Sequence, residues 1–443
     1  MKDPQLFEGA LEGAQAESKS PKQRGRARVQ HADRQQMQLQ PVSLNDLLPA
    51  DHRARLVWDW TGHLNLAPMY EAIGSQESGP GRPAIDPRIL LSLWLFATLE
   101  GVGSARALDR LCSEHVAYRW ICGGVGVNRD ALAAFRREHE EDLDDVLTQS
   151  VASMISEGLV PLACVAQDGM RVRASAGTKS LRRRERLKTL ERAARKHVKA
   201  LKRELERDPA AASHREQGAR MRAARERQKR VQQALKASKE LEAEREKLRP
   251  CMRRRYFRNP VSVSTTDPEA RMMRMGNGGF NVAYNAQLAT DVDTQVIVGV
   301  ELLSAPTDAR QLAPMAEQVL ERYGRLPEKW LADAGYTYHR DIERLHGSVE
   351  IYAPPQRFSK TEDPCTPRPN DSEAIVSWKR RMASAAGQAM YRKRLPAAEG
   401  VNALARNRGL QQFPVRGRKR ARSALLIYVL AHNMNRSWTL RAA

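Results

Sequence analysis

Cysteine is scarce. Five residues occur in 443, at positions 112, 122, 164, 251 and 365, an odd number with no CxxC pair. That argues against a disulfide framework or a zinc knuckle and fits reduced thiols in a cytoplasm. Long apolar runs are missing too. The densest, 424–431, sits among arginines and is far shorter than the roughly 18 residues that mark a membrane span. The start, Met1-Lys2-Asp3-Pro4, has no apolar signal-peptide core behind it. No HxH, HNH-like or CxxC cluster appears, which sets aside nucleases built on His or Cys. Acid is the last deficit: 52 Asp and Glu face 74 Lys and Arg, a net charge of +22. So basic a chain points to a polyanion, and nucleic acid is the commonest one.

What remains is a globular protein of two or three domains, since 41% of the residues are apolar and the chain is too long for one core. Residues 1–41 are polar and read as a disordered basic arm, with Arg24, Arg26 and Arg28 facing solvent or phosphates. Residues 42–158 have helical periodicity. Ile89, Leu90, Leu93, Trp94 and Leu95 follow Pro87, Ser104 can cap a helix over 105–111, and Asn128 can cap another. A DNA-reading helix-turn-helix and an ordinary helical bundle fit this segment equally well. Residues 162–166 read as a buried strand that ends at Asp168-Gly169. Residues 181–250 hold 24 Lys and Arg against 11 Asp and Glu, more than half of the chain's excess charge. Their apolar stripe, interrupted at Asp208-Pro209, predicts two antiparallel helices able to touch a DNA backbone. A β-hairpin follows over 282–302, then a helix through Leu312 and Val319, a strand over 329–332 ending at Asp333, a helix at 342–345, a strand over 349–352, a loop over 354–372 and further helices.

In an open α/β sheet, strand ends gather ligand groups, so Asp168 and Asp333 stand out. Cutting a phosphodiester needs neutralisation of an anionic phosphorus centre, and carboxylate oxygens can hold Mg²⁺ for that purpose. Taken singly, each Asp reads as well as a turn residue, and Glu399 as a solvated surface acid. Composition and spacing suggest an active site without locating it.

Four stretches narrow the choice: Gln167-Asp168-Gly169-Met170-Arg171-Val172-Arg173-Ala174; Thr266-Asp267-Pro268-Glu269-Ala270-Arg271 with Gly279-Phe280 and Tyr284-Asn285-Ala286-Gln287; Leu331-Ala332-Asp333-Ala334-Gly335-Tyr336; and Tyr391-Arg392-Lys393-Arg394 with Glu399. In this order they resemble the DDE transposases of bacterial insertion sequences, most closely the insertion-sequence eleven-eighty-two group. Gly81-Arg82-Pro83, Ala117-Tyr118-Arg119-Trp120 and Ala431-His432-Asn433 extend the resemblance over roughly residues 42–436. One departure is Gly400-Val401-Asn402, where the family usually has Pro and an aromatic.

The resemblance implies a mixed α+β chain. An RNase H-like catalytic domain would span 159–436, interrupted by the helical hairpin of 181–250, preceded by an all-α DNA-binding domain over 42–158 and followed by a tail over 437–443. Asp168, Asp333 and Glu399 would bind two Mg²⁺ ions, with Mn²⁺ as a substitute. Water would free a 3′-hydroxyl at each element end, and that hydroxyl would attack target DNA. Arg171, Arg173, Tyr391, Arg392, Lys393, Arg394, Arg416 and Arg418 would contact DNA, although Tyr391 reads equally well as a core residue. His339 and His432 could assist proton movement or be purely structural. The expected partners are double-stranded DNA, as terminal inverted repeats and target, and a second copy in a homodimer. No membrane is expected, and the location would be cytoplasmic at the nucleoid. The competing reading is a DNA-binding protein without catalysis, either a decayed transposase or a nucleoid-type binder.

Overall fold

The computed structural model describes residues 43–74, 83–207, 214–247, 260–357 and 363–442. The expectations for the arm at 1–41, the break at Asp208-Pro209, Gly81-Arg82 and Cys251 lie outside the described residues. From Leu44 onward the chain forms one compact unit.

Helices precede the first strand: α1 (Arg53–Gly62), α2 (Ala67–Glu71), α3 (Pro87–Leu99), α4 (Ala105–Glu114), α5 (Val116–Cys122), α6 (Arg129–Glu138) and α7 (Glu140–Ser156). Their starts follow local chemistry. Pro87 opens α3 behind the Asp86 cap, Ser104 Oγ accepts from Ala107 N, and Asn128 Oδ1 accepts from Ala131 N at 2.8 Å. Helix α3 is buried nearly all round, so it forms the centre of this segment rather than an amphipathic surface helix.

Strand β1 (Cys164–Arg173) runs five residues past Asp168. The expected strand end there is therefore wrong. Met170 and Val172 keep alternating inward, and β5 (Phe280–Asp291) pairs antiparallel with β1 from Val165 to Arg173. The apolar run predicted only the doubly buried half of the strand. After β1 a small ribbon, β2 (Leu181–Arg183) paired with β3 (Ser262–Ser264), carries the helical hairpin α8 (Arg184–Arg207) and α9 (His214–Glu246). β4 (Arg271–Arg274) and β6 (Ile297–Leu303) both pair antiparallel with β5. β7 (Lys329–Leu331) lies parallel to β1, and β8 (Glu350–Tyr352) parallel to β7. The main sheet thus places β5 and β7 on either side of β1, with Asp168 in its middle strand.

α10 (Leu312–Tyr323) and α11 (His339–Leu345) flank the sheet between these strands. The end of the chain is helical: α12 (Glu373–Ala383), α13 (Ala385–Arg392), α14 (Gly400–Asn407) and α15 (Arg418–Ala442). Buried residues of α15 join one apolar core that runs from Leu48 through α3, the sheet and Met434. No helix among the described residues is long and apolar enough to cross a membrane. The described cysteines are free thiols.

Candidate active site

Asp168 lies on β1 opposite Leu288. Its Oδ1 accepts from Gly169 N at 2.9 Å, and its Oδ2 accepts from Asn402 Nδ2 at 2.9 Å. Arg394 Nη2 stands 3.9 Å from Oδ1. Burial pushes the Asp168 carboxyl above its usual range. Arg394 and the Gly169 N–H oppose that rise, while neighbouring Asp333 and Asp308 add to it. Several negative charges in a low-dielectric setting call for a cation, and in this arrangement Arg394 supplies it.

Asp333 follows β7, where Leu331 ends the strand. Its Oδ1 accepts from Gly335 N at 2.7 Å and caps the short 3₁₀ turn Ala334–Tyr336. Tyr336 is fully buried, and its hydroxyl donates to Gln287 Oε1.

Glu399 ends a wide turn. Pro396 has no N–H to continue the α-helical ladder, and Leu395–Glu399 winds as a π-helical segment between α13 and α14. The glutamate side chain is 57% exposed, and Arg394 Nη1 donates to its Oε1 at 3.4 Å. One guanidinium therefore links Glu399 to Asp168. Tyr391 is half-buried beside them. Burial raises its hydroxyl pKa, Arg394 lowers it, and Asp333, Glu399 and Asp168 each raise it. All three expected carboxylates thus act on one neighbourhood, although no group of three or more acid, His or Cys side chains among the described residues closes to metal-holding geometry.

Beneath this neighbourhood lies a polar layer in which Asp308 joins residues of the first two motif stretches. Asp308 Oδ1 accepts from Asn285 Nδ2 and Gln287 Nε2, each at 2.7 Å, and its Oδ2 accepts from Arg171 Nη2 at 2.6 Å. Gln287 also meets Gln167, whose Oε1 accepts from Trp330 Nε1 at 3.1 Å. Gly169 leaves room for this layer: a Cβ on it would stand 2.4 Å from Asp308 Oδ1 and 2.5 Å from Gln287 Nε2, so any other residue would displace these side chains. The layer fixes β1 on the side facing β5, and with it the height of Asp168.

The expected DNA contacts separate into groups. Arg392 and Lys393 are exposed. Arg394 is buried among the carboxylates. Arg171 is paired with Asp308, yet it lines a groove of about 920 Å³ beside Gly169 together with Arg173, Arg274 and Arg406. Among the described residues, no Asp or Glu lines that groove. Arg274 and Arg406 were missed because a lone arginine has no spacing signature. Arg416 donates Nε to Ser175 O, and Arg418 reaches Leu302 O, so these two do not line the groove. His432 is buried with a ring nitrogen 2.8 Å from Gln295 O, and His339 packs edge-on against Trp378.

Residues 42–138 match the family model described as Transposase domain (DUF772), and residues 359–438 match the one described as Transposase DDE domain. No curated protein and no solved structure matches the chain. The second match contains Arg394, Glu399 and Asn402, while Asp168 and Asp333 fall between the two.

Proposed function

We propose that this chain, which carries matches to two transposase family models, is an insertion-sequence DDE transposase that cuts the ends of its element and joins them to target DNA by phosphoryl transfer at Asp168, Asp333 and Glu399. The observation that carries this reading is the single guanidinium of Arg394 shared by Asp168 and Glu399, residues far apart in the sequence, with Asp333 close enough to shift the Asp168 pKa. The sheet order β6-β5-β1-β7-β8, with antiparallel pairs on one side of β1 and parallel pairs on the other, supports an RNase H-like catalytic domain.

Asp168 and Asp333 are hard oxygen donors suited to Mg²⁺ or Mn²⁺, but Glu399, held by Arg394, does not join them in this arrangement. A bound divalent ion would supply charge neutralisation at phosphorus. The chain's own residues do the rest. The Asp308 layer holds Asp168 at a fixed height. The groove with Arg173, Arg274 and Arg406 takes the phosphate backbone leading to Asp168. Tyr391 stands where it can position the strand against the carboxylates. Arg392 and Lys393 add exposed charge beside the Glu399 turn. Two element ends must be handled together, so a homodimer on DNA is the expected working form.

The decisive assay is Mg²⁺-dependent nicking of a duplex carrying the element end, with Asp333→Asn as the comparison. The substitution keeps the shape and removes the charge. We expect strand cleavage to fall by about a thousandfold or more, with duplex affinity changed less than about threefold. Equal cleavage by both proteins would remove Asp333 from the reaction, and no cleavage above background by the wild type would replace this reading with that of a DNA-binding protein lacking catalysis.

A further inference from the structure

Apart from the carboxylates, a pocket of about 220 Å³ lies where α3, α6 and α15 meet the turn after α14. Two guanidiniums, Arg136 and Arg408, line it, and among the described residues no Asp or Glu does. Arg136 is only 6% exposed. It stacks over Trp94 at 4.2 Å and donates Nη1 to Gly103 O at 2.9 Å. No carboxylate pairs with it among the described residues, and burial alone pulls its pKa down, to about 10. A buried cation without a counter-charge is costly, so it is normally paired or neutralised.

Two further donors are idle in the same place. Arg408 Nη1 and the Tyr428 hydroxyl are buried without a hydrogen-bond partner, and Tyr428 is 2% exposed. Buried donors are nearly always satisfied in folded proteins. Two positive charges and an unused hydroxyl around one pocket are complementary to a tetrahedral oxyanion, and guanidinium forks match phosphate oxygens in particular.

We propose that this pocket is an anion site that takes a phosphate group, with Arg136, Arg408 and Tyr428 as its donors. The phosphate belongs either to a DNA backbone or to a free phosphorylated molecule; the chemistry of recognition is the same. The site is independent of the carboxylates, so it stands or falls separately from the cleavage reading.

The test titrates inorganic phosphate onto the full chain, without metal or DNA, against KCl of equal ionic strength, and follows the thermal midpoint. The wild type should show a saturable rise specific to phosphate. Arg408→Gln and Tyr428→Phe should each raise the half-saturating concentration by about tenfold. Tyr428→Phe removes a buried hydroxyl that has no partner, so it leaves the fold at least as stable and serves even if arginine variants fold poorly. No saturable rise, or the same half-saturation in the wild type and Tyr428→Phe, overturns the proposal. A second arm titrates a short DNA duplex. Weaker duplex binding by Arg408→Gln together with displacement by phosphate supports a backbone phosphate. Unchanged duplex binding with lost phosphate binding supports a free phosphorylated ligand.

Discussion

Asn402 shows how a single residue can carry a role that its position in the chain conceals. It is 4% exposed, donates to Asp168 Oδ2, and its own Oδ1 has no partner. A hydrogen bond to a charged acceptor is worth about 1.5–3 kcal/mol. Truncation also removes an unsatisfied oxygen, which offsets part of that loss. Asn402→Ala should therefore lower stability by about 1–2 kcal/mol in urea titrations. If Asn402 orients Asp168, cleavage of bound duplex should fall by about tenfold while duplex affinity holds. A variant that loses stability but cuts at the wild-type rate would reduce Asn402 to a packing role. The sequence showed only that position 402 departs from the family pattern. Its partner lies 234 residues away, and nothing in local spacing reports a contact of that range. The same holds for Asp308, whose donors come from β1 and β5. Asp168, Asp333 and Glu399 were singled out as candidates by motif order, and not by their local chemistry.

Among the elements, those with a strong period were readable. The helical hairpin, the β5–β6 pair, α10 and the strands before Asp333 and at 350–352 appear close to their expected places. The far half of β1, the short β2–β3 ribbon and β4 were not readable, because three or four residues set no period and their pairing partners are remote in sequence. The hairpin also shows a division of charge that only its folded register reveals. Its apolar seam is closed by Leu187 with Ala234 near the ribbon and by Val198 and Leu201 with Met221 and Ala224 further out. The root halves, 184–191 and 231–246, hold six Lys and Arg and six Asp and Glu, whereas 192–230 holds 14 against five. A 24-residue α8 is about 36 Å long, so the positive end is carried well away from the sheet. Arg192, Lys196, Lys199 and Arg203 recur at four, three and four, are exposed, and form no ion pair among the described residues. Such a stripe suits backbone phosphates without reading bases. Changing all four to Gln should reduce the slope of log affinity against log salt by about 3–4. Cleavage of duplex already bound should be unaffected. An unchanged slope would mean that this face of α8 is merely solvated.

At the scale of the molecule, α15 ties the helical segment to the sheet, and its chemistry makes stability depend on pH. Arg422 pairs with Glu140 and Asp144 of α7 and approaches Glu301 of β6 at 3.8 Å. Asn433 accepts from Ile297 N and donates to Ile297 O, so it acts as one more strand partner at the edge of the β6 ladder. His432, between these contacts, is 1% exposed. Burial lowers its pKa from 6.5 to about 4, against a smaller opposing effect of its bond to Gln295 O. The sign follows directly. The unfolded chain binds the proton first, so the neutral, buried imidazole contributes its full stability above about pH 6.5 and loses it as the pH falls toward 4. A shift of this size corresponds to about 3 kcal/mol. Asp168, Asp267 and Asp291 act in the opposite sense, because burial raises their pKa and protonation on acidification favours the folded state. A wild-type stability curve alone would mix the two. The contrast with His432→Gln isolates the histidine, since glutamine can still donate to Gln295 O but does not titrate. Urea titrations at closely spaced pH values should show the wild type losing about 3 kcal/mol relative to the variant between pH 6.5 and 4. Parallel curves over that window would mean that His432 takes up its proton at the same pH in the folded and unfolded chain, so that its burial does not lower its pKa.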